Sequence, residues 1–216
     1  MATSPLVVWT KIVGIVKRYL GTVIGVVVFI ISLQAQSMDN PAIQEKFNQA
    51  KSLMEQAQYQ QAADVYSFIL SKDSLQYDAL LGRAHAYAAL GKNFEAISDL
   101  DALVKAQPRN IEGYYLRAEL KSKLGFDDEA YDDLDRVIFL KSDHYQAHYR
   151  KAIIENMRGE YTQALADIKV CLSQQPAPEV YFMAGVIHAR IGNDIEAVKM
   201  FSAAIKLNPK DEDFYV

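Results

Sequence analysis

Residues 114–138 read YYLRAELKSKLGFDDEAYDDLDRVI. Leu116, Leu120 and Leu124 recur at helical spacing before Gly125, and Leu134, Val137 and Ile138 do so after it. Apolar residues three or four apart share one face of a helix. A glycine just past such a run ends the helix, because it takes a left-handed backbone at little cost. The stretch therefore predicts a helix, a tight turn and a second helix. One residue resists this reading. Arg117 stands beside Ala118, among apolar and small neighbours, where a permanent cation needs a partner.

The same grammar recurs along the chain. Ala62, Ala96, Ala130, Ala164 and Ala197 fall 34, 34, 34 and 33 residues apart. Twelve residues before each stands another small residue: Ala50, Ala84, Ala118, Ala152 and Gly185. Four residues after each comes a large one: Tyr66, Leu100, Leu134, Ile168 and Phe201. Gly91, Gly125, Gly159 and Gly192 separate the two small positions in four units, and Ala57 does so in the first. Pro108, Pro176 and Pro209 close three units; Ser74 and Ser142 close the others. Two helices approach closely only where side chains are small, and proline stops the second helix from continuing.

A unit of about 34 residues built this way resembles the tetratricopeptide repeat family, a helix–turn–helix module. The repeats are residues 43–76, 77–110, 111–144, 145–177 and 178–211. The resemblance implies an all-α fold, a right-handed superhelical solenoid of five repeats. The fourth position, usually a large aromatic in the family, departs from the pattern as Lys46, Leu80, Tyr114, His148 and Tyr181. The first repeat matches least well, as terminal repeats do.

Comparing repeats answers the question of Arg117. Position seven reads Gln49, Arg83, Arg117, Lys151 and Ala184; position twenty-three reads Val65, Asp99, Asp133, Asp167 and Met200. A cation at one goes with an acid at the other. The expected pairs lie within a repeat: Arg83–Asp99, Arg117–Asp133 and Lys151–Asp167. Pairing between repeats, Asp99–Arg117 and Asp133–Lys151, strands Arg83 and Asp167.

Charge separates the N-terminus from the rest. Residues 1–35 hold Lys11, Lys17 and Arg18 and no acid, leaving 20 basic against 27 acidic residues in the remainder. An acidic body is a poor match for a phosphate backbone, so no nucleic-acid partner is expected. Cys171 is the only cysteine, so no intrachain disulfide can form. Residues 16–37, VKRYLGTVIGVVVFIISLQAQS, open with two cations and continue through an apolar run to a small residue, Ala35. That is the pattern of a secretory signal, and the apolar run is short for a membrane span. Cleavage after Ala35 would leave Gln36 as the new N-terminus of an exported protein, periplasmic or secreted. A start at Val16 would give this signal an ordinary length. The alternative is an uncleaved membrane anchor, so membrane contact is expected only through residues 1–35. Residues 36–42 read as a linker.

Catalytic signatures are missing: there is no phosphate loop, no G-x-S-x-G and no H-E-x-x-H. No catalytic residue, metal site, cofactor or small-molecule substrate is expected. His144 and His148 are four apart, but His148 holds a packing position and His144 a turn. His188 and Cys171 occupy core positions. Asp127 reads as a helix cap.

The resemblance implies that positions two, five, six, nine, twelve and thirteen line a concave groove. Position five gives an apolar stripe, Phe47, Leu81, Tyr115, Tyr149 and Phe182, with His85, Glu119, Lys123 and Arg150 among its flanks. Such a stripe suits an extended peptide or a partner helix. The lysine–asparagine pattern with which some family members grip a carboxylate terminus is absent. The expected function is therefore a protein-interaction scaffold of the cell envelope. The alternative is an accessory domain of a longer enzyme or sensor. Residues 212–216 read as the opening of a further helix, and an uncapped end there could serve self-association.

Overall fold

The structure, a computed structural model, describes residues 41–74 and 76–210. Among them are ten helices and no strand: α1 (Pro41–Glu55), α2 (Tyr59–Lys72), α3 (Tyr77–Ala89), α4 (Asn93–Ala106), α5 (Ile111–Lys123), α6 (Asp127–Leu140), α7 (Tyr145–Arg158), α8 (Tyr161–Gln174), α9 (Pro178–Arg190) and α10 (Asp194–Leu207). The leader over residues 1–35, its cut after Ala35 and the helix opening at 212–216 lie outside the described residues. Within them, no helix is long and apolar enough to cross a membrane. The chain forms two compact bodies, one ending at Ala79 and the other beginning at Leu80.

In the first body α1 packs on α2. Ala50, Ala62, Ala63 and Ile69 are fully buried, and the Phe47 ring meets Tyr66 edge-on at 6.3 Å. In the second body the hairpins α5–α6, α7–α8 and α9–α10 pack internally, and α4 on α5, α6 on α7 and α8 on α9 join one hairpin to the next. Two core clusters follow. Ala118, Ala130, Leu134, Val137, Ala147 and Ile154 form one; Ala152, Ala164, Ile168, Cys171, Val180, Ala184 and Ile187 belong to the other. Burial pushes the Cys171 thiol up to about 11, as suits an inert core residue.

Five turns share one hydrogen-bond pattern. In the third repeat Gly125 N donates to Ser122 O, and Phe126 N reaches back to Lys121 O. This is the Schellman closure, which needs a left-handed residue at its centre. The four glycines supply it with φ between 74° and 81°, and Ala57 supplies it at 56°. Asp127 is the first residue of α6 rather than its cap. The cap position falls to Phe126, and Asp127 instead accepts the Ser122 hydroxyl at 2.9 Å.

Gly185 departs from alanine for a steric reason. A Cβ there would sit 2.6 Å from the Phe201 ring. The fifth repeat thus matches a larger ring on one helix with a smaller residue on the other.

The charged positions form a ladder. Arg83 grips Asp99 with two hydrogen bonds, 2.8 and 2.7 Å. Arg117 grips Asp133 in the same way, at 2.9 and 2.5 Å. Its remaining nitrogen reaches Asp101, at 2.6 Å, in the preceding repeat. The third expected pair is present but loose. Lys151 lies 3.8 Å from Asp167 but 2.8 Å from Asp135 of the preceding repeat. Asp167 is taken at 2.7 Å by His148. A single ammonium on a flexible stem goes to the carboxylate within easiest reach, whereas a guanidinium fork holds one carboxylate with two bonds and a second with a third.

Candidate functional site

Helices α3, α5 and α7 are the first helices of three consecutive repeats. Together they line an open concavity of about 520 Å³. Ala88, Leu116 and Leu120 supply apolar lining, and Glu119, Ser122, Lys123 and Arg150 the polar lining. All but Leu120 hold position six, nine, twelve or thirteen of their repeat. Three expected groove residues are joined here. Arg150 Nε donates to the Tyr115 hydroxyl at 2.8 Å, the hydroxyl donates to Glu119 at 3.3 Å, and Arg150 Nη2 bonds Glu119. The His144 ring lies 5.1 Å from that of Tyr115. Burial raises the pKa of the Tyr115 phenol, opposed by its bond from Arg150, so it stays a neutral donor.

The other groove candidates divide. His85 meets Glu112 at 3.0 Å, both partly exposed. Leu81 is half-buried. Tyr149 is half-buried against the core cluster of α7, α8 and α9, and the Phe182 ring sits 5.4 Å from Phe201 of its own repeat. Phe47, only 8% exposed, belongs to the interior of the first body, which corrects its reading as a surface for a partner.

Sequence reasoning missed a second cluster. His148, expected as plain packing, is buried with Nδ1 2.7 Å from Asp167 and Nε2 3.0 Å from the Ser142 carbonyl. Glu155 is 1% exposed and accepts the Tyr131 hydroxyl at 3.0 Å. The signal that could have found part of it is position twenty-five, where Asp101 and Asp135 each precede a repeat with a cation at position seven. His144 caps α7, its Nδ1 accepting from Ala147 N at 3.2 Å. Among the described residues no group of side chains is arranged to hold a metal ion.

The repeated hairpin, the glycine turns and the alanine contacts decide what the chain resembles. Two profiles described as tetratricopeptide repeat match it, one over residues 47–111 and one over residues 178–211. Tetratricopeptide repeats are thus found over these two stretches. Solved tetratricopeptide structures agree in fold. A crystal structure of MamA protein aligns with a TM-score of 0.72 at 22% identity, over 81% of this chain and 96% of that one. MamA residues 41-end from Desulfovibrio magneticus RS-1 align at 0.73 and 14% identity, over 79% and 97%. YrrB, whose structure is titled a TPR protein with an unusual peptide-binding site, aligns at 0.72 and 22% identity, over 79% and 88%. No curated protein matches significantly. Neither matching tetratricopeptide profile is that of a catalytic family.

Proposed function

We propose that this chain is a protein-interaction scaffold of the cell envelope that binds a peptide or partner helix on the face formed by its first helices. The observation that carries the reading is the concavity shared by α3, α5 and α7, lined by both apolar and charged side chains. Leu116, Leu120 and Ala88 can take an apolar side chain of the partner, and Lys123 and Arg150 can orient it by charge. The bonds among Tyr115, Glu119 and Arg150 hold the last of these in place before a partner arrives, which lowers the entropy lost on binding. Leu81, His85, Tyr149 and Phe182 extend the face along the second body. The peptide-binding site named for YrrB, a protein of similar fold, agrees with a peptide as ligand. Placement in the envelope rests on the charged start, apolar run and small residue of residues 16–37.

The test is selection of random displayed peptides on the full chain, followed by calorimetric titration of the best binder. Arg150→Ala should weaken that binding about tenfold or more, a loss of ~1.4 kcal/mol or more, with a melting temperature within a few degrees of the parent. Failure to select any binder, or equal affinity for the variant, would refute the site.

A further inference from the structure

The fourth repeat buries more carboxylates than its cations can serve. Among the described residues, Lys151 is the one ammonium within reach of three acids: Asp135 at 2.8 Å, Glu155 at 3.6 Å and Asp167 at 3.8 Å. Asp135 is half exposed and can draw on solvent, Asp167 keeps only 13% of its side chain exposed, and Glu155 1%. One Glu155 oxygen accepts from Tyr131, while the other, Oε2, is buried without a donor. The Asp167 carboxylate stands near enough to Glu155 to raise its carboxyl. A proton on Glu155 would turn one oxygen of this carboxyl from an acceptor into a donor. His148 gives a second geometric clue. Its two ring nitrogens face the Asp167 carboxylate and the Ser142 carbonyl, both acceptors. A ring bonded at both nitrogens to acceptors carries a proton on each and is an imidazolium.

We propose that the Glu155–Asp167–His148 cluster is a proton-binding site, holding Glu155 as the acid and His148 as the cation, and that losing these protons loosens α7 from α6 and α8. The surrounding groups support this arrangement. From α6 come Tyr131 and Asp135; on α7 itself lie Lys151 and Arg158, the latter over the Tyr131 ring at 4.4 Å. From α8, Cys171 lies near enough for the Asp167 charge to help raise its thiol, which stays neutral. From α9, Arg190 spends a bond on the Asn156 carbonyl, at 3.1 Å, rather than on an acid. Burial, then the Asp167 charge, pushes Glu155 up to about 7 against the pull of Lys151. The Asp167 bond raises His148 against the effect of burial.

The two groups act in the same direction. Each has a higher pKa folded than unfolded, so the native state holds more protons in between. The stability they contribute is fully present below their unfolded values and is lost as pH rises through the folded ones. For Glu155 the window runs from its ordinary 4.5 to about 7; for His148 it begins at 6.5 and extends upward.

The experiment is urea unfolding of the full chain at pH 5.5 and pH 8, with a carboxyl-carbon and imidazole-nitrogen NMR titration of the folded protein. The folding equilibrium constant should drop by about tenfold or more between the two pH values, since one proton is worth a factor of ten per pH unit. Glu155→Gln keeps an acceptor for Tyr131 and brings its own donor, so it should flatten most of that drop. In the spectra, Glu155 should titrate well above the other glutamates, and both His148 nitrogens should be protonated at pH 7. An equal slope in the variant, or Glu155 titrating with the surface glutamates, would overturn the proposal. Should the variant fail to fold, the parent's NMR titration decides alone.

Discussion

The third and fourth repeats carry the same charge pattern and use it differently. In the third, Arg117 and Asp133 lock together through two bonds, and Lys121 adds a third at 2.8 Å. In the fourth, Lys151 and Asp167 hold the same two positions yet stand 3.8 Å apart, each with a nearer partner. The difference comes from the head group. A planar fork with five donors satisfies a buried carboxylate at a fixed angle, whereas an ammonium offers a point charge to whichever acid is nearest. One repeat is closed by geometry. The other is left with an acid and a histidine whose protons complete it.

The largest effects should come from breaking the closed pair. Arg117→Ala and Asp133→Ala should each cost about 2–3 kcal/mol, because each removes a two-bond charge-assisted grip, even though Lys121 still reaches Asp133 and Asp101 still reaches Arg117. The double variant should cost much less than their sum. Urea unfolding of the four proteins measures the coupling, and additive losses would remove the pair from the account. The fifth repeat extends the contrast, since Ala184 and Met200 replace the charges and shape takes over. Gly185→Ala should destabilise by about 1–3 kcal/mol through overpacking, and Phe201→Leu should restore most of it. A smaller change exchanges the head groups. Arg117→Lys should cost about 1–2 kcal/mol by giving up charge-assisted bonds, and Lys151→Arg should draw Asp167 closer and shrink the pH dependence of the fourth repeat. Thermal unfolding at two pH values reads both. The smallest effect belongs to the first repeat, where Ala57→Gly should raise stability by up to about 1 kcal/mol, because the turn holds alanine in a left-handed backbone. A melting temperature that falls instead would mean the turn is not strained.

Much of this architecture is legible in the sequence because it depends on local chemistry repeated five times. Glycine at four of the five turns, a small residue where helices touch and a large residue four places on together place each hairpin. Arg83–Asp99 and Arg117–Asp133 are legible for the same reason, as covariation between two positions of one repeat. Partner choice is less so. The turn from Lys151 toward Asp135 depends on reach across a repeat boundary, which a comparison within repeats does not see. Glu155 escapes because a lone acid on a helix reads as solvent-facing, and only the fold shows Tyr131 and Asp167 closing over it. Phe47 illustrates the opposite error. Its position marks it for the groove, but Tyr66, larger than the leucine or isoleucine of the middle repeats, gives it an edge to pack against.

Both middle repeats lend a residue to one concavity, Glu119 from the third and Arg150 from the fourth. The proposed partner lies there. Hydrogen exchange of the full chain, with and without a peptide selected on it, tests this most directly. Added protection is expected in α3, α5 and α7, with α4, α6 and α8 unchanged. Protection confined to the second helices, or to α1 and α2, would contradict it.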